Sequence, residues 1–409
     1  NAINEMKNLL GDKGCYVGMA VQNKSMTESM ASEMSKILVV AVVMIFAVLS
    51  VTTTAWTEPI LFLLVMGVAV LLNKGTNIFI GTVSFLTENV SIILQLATSM
   101  DYSIFLLDAF MNYRKQGMNE EDAIINAVQE AINSIFASSL TTVVGFLALV
   151  TMKFSIGFDL GLVLAKGIVF SLLTVVFFMP AMILKFAKLN EKTKHRSFMP
   201  DFHGLGKVIY RIRPIVFAVI VLVTPLAYTA QGLNDFLYGN DSMGASEGTQ
   251  VYEDDQEITK IFGRSNMLLA LYPNTSEVNE RAMAKEIKAL PYVKSVTALA
   301  DTLPEGIPEE FLPKSTVELL HKGGYCRMLV YTRTKTESAE AFKDSDEIQT
   351  IVKKYYPEGS YLVGETPSTQ DIKSFIVKDY ENVNVLSLAG VFLVVMMSFK
   401  SAVVPILVI

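Results

Sequence analysis

Charge is what this sequence has least of. Of its 409 residues only 18% are Asp, Glu, Lys or Arg, against about 25% in ordinary soluble domains. With 51% hydrophobic residues and a mean hydropathy of +0.42, a wholly soluble chain is excluded, and a membrane protein with some soluble mass attached is implied. The formal net charge of −6 lacks the basic footprint of a nucleic-acid binder. Three histidines and two cysteines leave little for a metal site. Cys15 and Cys326 have no CxxC spacing; a disulfide between them stays open, with two unpaired thiols the expectation. Gly323-Gly324 and Gly204-x-Gly206 read as turns, because neither sits between a strand and a helix with the lysine a phosphate loop requires. No nucleophile constellation and no metal cluster is recognisable. The chain is therefore read as no enzyme, with no cofactor. It opens at Asn1 without a methionine and closes inside an apolar run, so it reads as a fragment.

Apolar runs of helix length are plentiful. They cover residues 37–55, 60–72, 90–110, 135–152, 160–186, 215–228 and 383–397, with a further run from Ala402. Lysine and arginine cluster after the fifth run, at Lys185, Lys188, Lys192, Lys194, Arg196, Lys207, Arg211 and Arg213, and after the third, at Arg114 and Lys115. That asymmetry places these loops in the cytoplasm. Residues 1–32 and 232–380 then lie outside a cell membrane. Residues 33–187 carry the first five spans and 188–212 form a basic cytoplasmic linker. A sixth span covers 213–231, and 381–409 hold a seventh plus the start of another. Residues 119–134 read as an interfacial helix: Asn119 caps it, acids fill its first turn, and Ala123, Ile124, Ala127, Val128, Ala131 and Ile132 form one apolar stripe.

Residues 232–380 read as a soluble α+β domain. Strands are expected at 266–272, 292–298, 325–332 and 360–363, and helices at 276–289 and 337–355. Two successive βαβ units of this size suggest a split, ferredoxin-like arrangement. An internal repeat accompanies it. Setting Gly18 on Gly364 gives an offset of 346 (364 − 18), which also sets Glu33 on Asp379 and Pro59 on Pro405. The recurring order of elements argues for duplication, and a longer protein of two similar halves.

One ionisable residue stands out within the spans. Asp101 lies about 16 Å along its helix from Val90 at 1.5 Å per residue, near the middle of a hydrocarbon core roughly 30 Å thick. A carboxylate there costs at least a few kcal/mol and by default marks a proton or ion path. Asp108, seven residues on, shares a similar face. Lys166 is the second unusual charge, at a depth from which its long side chain nearly reaches Asp101. A buried Asp101–Lys166 pair is one expectation and snorkelling of Lys166 to the headgroups the other. Ser138, Ser139, Thr141 and Thr142 suit close helix packing.

The pair Asp101-Tyr102 is followed by Asn112-Tyr-Arg-Lys-Gln-Gly117, Asn119-Glu-Glu-Asp-Ala123, Ser138-Ser-Leu-Thr-Thr-Val-Val-Gly-Phe-Leu147 and Leu160-Gly-Leu-Val-Leu-Ala-Lys-Gly167, ending at Pro180-Ala181. This series resembles the MMPL (mycobacterial membrane protein large) branch of the resistance–nodulation–division (RND) superfamily. The resemblance implies an all-α membrane bundle bearing α+β porter domains, here the end of a first porter domain, spans two to eight and the start of span nine. It implies export of lipids or other hydrophobic compounds driven by protons, with Asp101 and Tyr102 as the relay, and Lys166 and Asp108 join them as candidates. The matching pair in the second half would lie beyond Ile409. Glycine often precedes the aspartate in that family, whereas Met100 does here. Expected partners are membrane lipids, a hydrophobic substrate and protons, with an oligomer open. The alternative is a membrane-embedded lipid sensor or regulator, or a protein-export accessory, on the same core.

Overall fold

A computed structural model describes the chain except for residues 1, 11–13, 196–197, 199–204, 235, 237, 240–246, 304–310 and 312. Arg196 and Gly204, and Glu309, Glu310 and Leu312 of the segment between the expected strands 292–298 and 325–332, thus lie outside the described residues. The chain divides into two compact units: Asn1–Ala31 with Leu233–Ser374, and Ser32–Gly232 with Phe375–Ile409.

The second unit is helical. After α1 (Ala2–Leu10), which belongs to the first unit, come α2 (Met19–Thr52), α3 (Thr57–Gly75), α4 (Phe85–Lys115), α5 (Glu120–Leu149), α6 (Ser155–Leu173), α7 (Met179–Lys192) and α8 (Leu205–Gln231). Seven described helical stretches are long and apolar enough to cross a membrane: Ala20–Thr52, Thr57–Phe79, Phe85–Lys115, Glu120–Leu149, Ser155–Lys192, Gly206–Gln231 and Glu365–Phe399. Most outrun their apolar runs because polar flanking residues extend the helices, although the first and fourth stop short of the run's end, at Thr52 and Leu149.

Two departures from the sequence reading have local causes. Residues 119–134 are not a separate interfacial helix; they form the first half of the unbroken α5. Asn119 does cap it, its side chain accepting from the Asp122 N–H at 2.8 Å. The buried positions Ala123, Ala127, Ala131, Ile135 and Ser139 then continue every fourth residue through the expected junction, so nothing interrupts the helix. Conversely, the span expected at 160–186 is not regular. Thr174–Phe178 widens into a π-helical turn between α6 and α7. Pro180 lacks an N–H and its ring would press on the carbonyl four residues back, and a π turn relieves both.

Close helix approach rests on small residues. A Cβ on Gly161 would meet the Phe146 carbonyl at 2.6 Å, so α5 and α6 touch there backbone to backbone. At the opposite end from Arg114, the α5–α6 turn is held by α14 (Glu365–Phe399). The buried carboxylate of Asp379 accepts the backbone N–H groups of Lys153 (2.7 Å) and Phe154 (3.3 Å), donors left over at the start of α6.

The first unit has the α+β core. Its elements are α9 (Gln250–Phe262), β1 (Asn266–Pro273), α10 (Glu277–Lys288), β2 (Val293–Thr297), α11 (Leu299–Thr302), α12 (Lys314–Leu320), β3 (His321–Lys322), β4 (Tyr325–Thr332), α13 (Ala339–Tyr355) and β5 (Tyr361–Gly364). The antiparallel sheet runs β2-β4-β1-β5, with β3 paired to β4. That is the ferredoxin-like order, because β1 and β4 form the centre of the sheet while each α-helical crossover skips one strand. Ser276 and Ser338 cap α10 and α13 through their hydroxyls. The alternating residues Leu268, Ala270, Tyr272, Met328 and Val330 meet Met283, Ile287, Ile348 and Val352 from the two helices in one core. The sequence reading missed α9, the short α11 and α12, and the β3 hairpin.

The repeat has a structural counterpart. Gly18 and Gly364 both carry positive φ, +127° and +152°, and each immediately precedes a long helix, of 34 and 35 residues. A Cβ on Gly364 would also meet the Met267 carbonyl at 2.8 Å, so only glycine lets β5 close on β1 and turn directly into α14. The residue range closes with α15 (Val403–Val408), which holds Pro405. Cys15 is exposed, Cys326 is buried, and neither forms a disulfide.

Candidate functional site

The centre of the bundle is organised by α4, whose two faces differ in chemistry. On one face a polar residue recurs at every fourth position: Thr87, Ser91, Gln95, Ser99 and Ser103, all buried. Four residues on a 3.6-residue turn advance by only about 40° at each step, so these five side chains form a single stripe that slants around the helix. On another face Leu94, Ala97, Asp101, Phe105, Asp108, Asn112 and Lys115 are exposed, at three- and four-residue spacings. Asp101 is two residues past Ser99, about 200° around the helix at 100° per residue. The acid therefore points away from the polar stripe.

The stripe is knitted to its neighbours by hydrogen bonds. Asn73 Nδ2 on α3 donates to Gln95 Oε1 at 2.9 Å. Gln95 Nε2 donates to the Gly167 carbonyl on α6 at 3.0 Å and to Ser171 Oγ at 3.2 Å. Ser99 and Ser171 join hydroxyl to hydroxyl. In a hydrocarbon medium an unpaired amide is costly, so a matched set of this kind fixes how three helices pack. Gly167 is required for it: a Cβ there would meet Asn73 Nδ2 at 2.7 Å and Gln95 Oε1 at 3.2 Å. The π-helical turn starts three residues after Ser171.

Lys166 sits beside this network and is half-buried. Its Nζ donates to the Asn73 carbonyl at 2.9 Å and to Asn77 Oδ1 at 2.6 Å. Asn73 lies in the last turn of α3, where carbonyls have no partner within the helix and a cation suits the helix dipole. These bonds stand in place of the expected Asp101 pair. Among the described residues no ion pair joins Lys166 to Asp101. The reason is geometric: Lys166 is next to Gly167 at the level of Gln95, six residues or about 9 Å along α4 from Asp101, on the far side of the helix.

The other candidates separate in the same way. Asp101 and Asp108 share the exposed stripe. Tyr102 is 5% exposed and packs in the apolar core of the bundle, so adjacency in sequence does not bring its ring to the carboxylate. Ser139, Thr141 and Thr142 bond to carbonyls of their own helix, at Ile135 and Ser138. Reading the sequence for charge missed the Thr87–Ser103 stripe, although its strict four-residue spacing was visible there. It also missed Glu58, a buried carboxylate in the first turn of α3. Glu58 accepts the Thr54 and Ala55 N–H groups and Asn190 Nδ2, tying α3 to α7 at the basic end of the bundle.

Among the described residues, one group of metal-type donors converges, in the α+β unit: Glu280, His321 and Cys326, all buried. Burial works against the Glu280 charge, but bonds from His321, the Ala300 N–H and Cys326 together hold its carboxyl below the usual range. The sequence reading found no metal cluster, since 41 residues separate Glu280 from His321.

Residues 9–211 match the MMPL family. A membrane protein of Methanocaldococcus jannaschii is 39% identical over 89 residues, 22% of this chain and 23% of that protein. The transport protein MmpL9 of Mycobacterium tuberculosis is 24% identical over 290 residues, 66% of this chain and 29% of its own. Membrane protein YdfJ of Bacillus subtilis is 23% identical over 309 residues, 68% of this chain and 42% of its own. The chain thus spans less than half the length of each of these relatives. Among solved structures, SecDF of Thermus thermophilus, a translocon-associated membrane protein, is similar with a TM-score of 0.49 and 13% identity, over 94% of this chain and 46% of that one.

Proposed function

Since residues 9–211 of this chain belong to the MMPL family, we propose that it is part of a proton-driven exporter of the RND type, moving lipids or other hydrophobic compounds out of the cell across the plasma membrane. MmpL9, described as a transport protein, supports the transporter part of the reading. The observation that carries the proton part is the division of α4. Its polar stripe is locked inward by Gln95, while Asp101 and Asp108 face outward along one line.

An ionised carboxylate at mid-membrane costs at least a few kcal/mol against lipid. In the whole protein the Asp101 face is covered by the second helical half, and the acid lies at that seam. Protonation from one side lets the halves close over Asp101, and release to the other side restores a charge that favours an open, hydrated seam. That difference biases two packings, which the α+β unit, on the extracytoplasmic side, couples to cargo. Asp108 extends the path two turns towards the cytoplasm. Tyr102 and Lys166 act on the relay indirectly, Tyr102 by packing α4 at the level of the acid and Lys166 by holding α6 to the end of α3.

The test uses the whole protein in proteoliposomes with an imposed pH gradient. Proton flux coupled to a hydrophobic cargo is expected, and Asp101→Asn should abolish it while membrane insertion is retained. Undiminished coupled flux in Asp101→Asn would overturn the proposal.

A further inference from the structure

The hairpin at the edge of the α+β sheet places chemistry that transport does not use. Gly323 and Gly324 both have positive φ, +64° and +81°, the backbone of a two-residue primed turn. This turn fixes the register of β3 on β4, setting His321 opposite Cys326 and Lys322 opposite Tyr325. Directly opposed residues of an antiparallel pair share a face with their Cβ atoms about 5 Å apart. His321 and Cys326 are on the buried face, Lys322 and Tyr325 on the exposed one. Under the buried face lies α10, where Glu280 takes the position facing them.

The three side chains converge. His321 Nε2 is 3.1 Å from Glu280 Oε2 and 3.4 Å from Oε1, and the carboxylate, imidazole and thiol donor atoms all lie within 4.8 Å of one another. An independent feature points the same way. The hydroxyl of Tyr272, fully buried and stacked on Tyr356 at 4.7 Å, reaches towards Glu280 without completing a well-formed hydrogen bond. A buried phenol without a partner is costly and calls for an explanation.

We infer that Glu280, His321 and Cys326 bind one divalent transition-metal ion of the Zn2+ type, clamping the β3–β4 hairpin to α10. One oxygen, one nitrogen and one sulfur suit zinc and its neighbours, whereas calcium and magnesium require six or more oxygens. Around a tetrahedral ion at about 2.0–2.3 Å, ligand atoms stand about 3.3–3.8 Å apart; the His321–Glu280 separations of 3.1 and 3.4 Å match this, and the thiol, within 4.8 Å of both, needs at most a small side-chain shift to join them. The charges also balance: a dication with one carboxylate and one thiolate is neutral, which makes complete burial tolerable. Binding releases the thiol proton to solvent, and a second proton if the imidazole is charged. Three protein ligands leave one tetrahedral position, for which the Tyr272 oxygen is the polar group at hand.

The test uses the tag-free full chain in detergent, stripped with a chelator and titrated with Co2+ and then Zn2+. One equivalent of Co2+ should bind with a thiolate-to-cobalt charge-transfer band, and Zn2+ should displace it. Cys326→Ser should lose the band and His321→Gln should weaken binding by at least about tenfold, as even indirect changes to metal sites do. Cys15→Ser removes the exposed thiol and should leave everything unchanged. Folded wild-type chain that binds no Co2+, or that gives a band abolished by Cys15→Ser, overturns the site. The wild-type measurement decides the matter even if a variant misfolds, and neither outcome bears on proton coupling at Asp101.

Discussion

Gln95 Nε2 on α4 donates to the Gly167 carbonyl on α6 at 3.0 Å, and the absence of a side chain on Gly167 is what lets the amide approach. The pair joins two helices through a position that a single methyl group would occupy.

Gly167→Ala should therefore separate α4 from α6. A Cβ 2.7 Å from Asn73 Nδ2 forces the amides apart, at about 1–3 kcal/mol for overpacking, plus about 0.6–2 kcal/mol for each interhelical bond lost. A lowered thermal midpoint of the purified chain checks this. Gln95→Leu should lower it by a similar amount, and the double variant should fall well short of the sum, since both changes break the same bonds.

Lys166→Met should leave insertion intact and reduce coupled flux, because the end of α3 loses the cation bonded to the Asn73 carbonyl and Asn77. Lys166→Arg, which keeps the charge, should retain more flux than the methionine variant. Flux at the wild-type level in Lys166→Met would remove this residue from the relay altogether.

Asp379 holds the start of α6 through two backbone N–H groups. Bonds to a charged acceptor contribute about 1.5–3 kcal/mol each, so Asp379→Ala should destabilise the bundle by about 2–4 kcal/mol. Asp379→Asn, which keeps an acceptor oxygen, should cost less than half of that. Faster amide exchange at the α5–α6 turn reports the loss.

A pH effect is expected in the α+β unit. Asp344 is buried, and burial first, then the charges of Glu340 and Glu347, raise its carboxyl above the ordinary 3.8. A carboxyl raised on folding favours its neutral form, so it weakens the fold above its folded value. That penalty fades as the pH falls through the window and is gone below the unfolded value. Asp344→Asn should therefore increase exchange protection of β1 and β4 at neutral pH, with the gain vanishing near pH 3.8. A gain independent of pH would point to packing instead.

Much of the α+β fold was legible because it rests on local signals. Alternation marks β1 and β4, and Ser276 and Ser338 mark the starts of their helices. The short β3 was not legible, since two residues carry no periodicity and only the Gly323-Gly324 turn announces them. The candidate relay was legible by type alone. An acid within an apolar run is visible in any listing of residues, but the direction it faces is not.

By itself the sequence determined which segments are apolar enough to leave water, where the capped helices α5 and α10 start, and that an acid, Asp101, stands within an apolar run, because hydropathy and capping act along the chain. Only the tertiary structure decided that Lys166 turns to α3 instead of Asp101, that Gln95 holds three helices, and that Glu280, His321 and Cys326 meet. Those outcomes depend on which helix faces and strand registers come together, and burial rewards the assembled arrangement rather than any one segment.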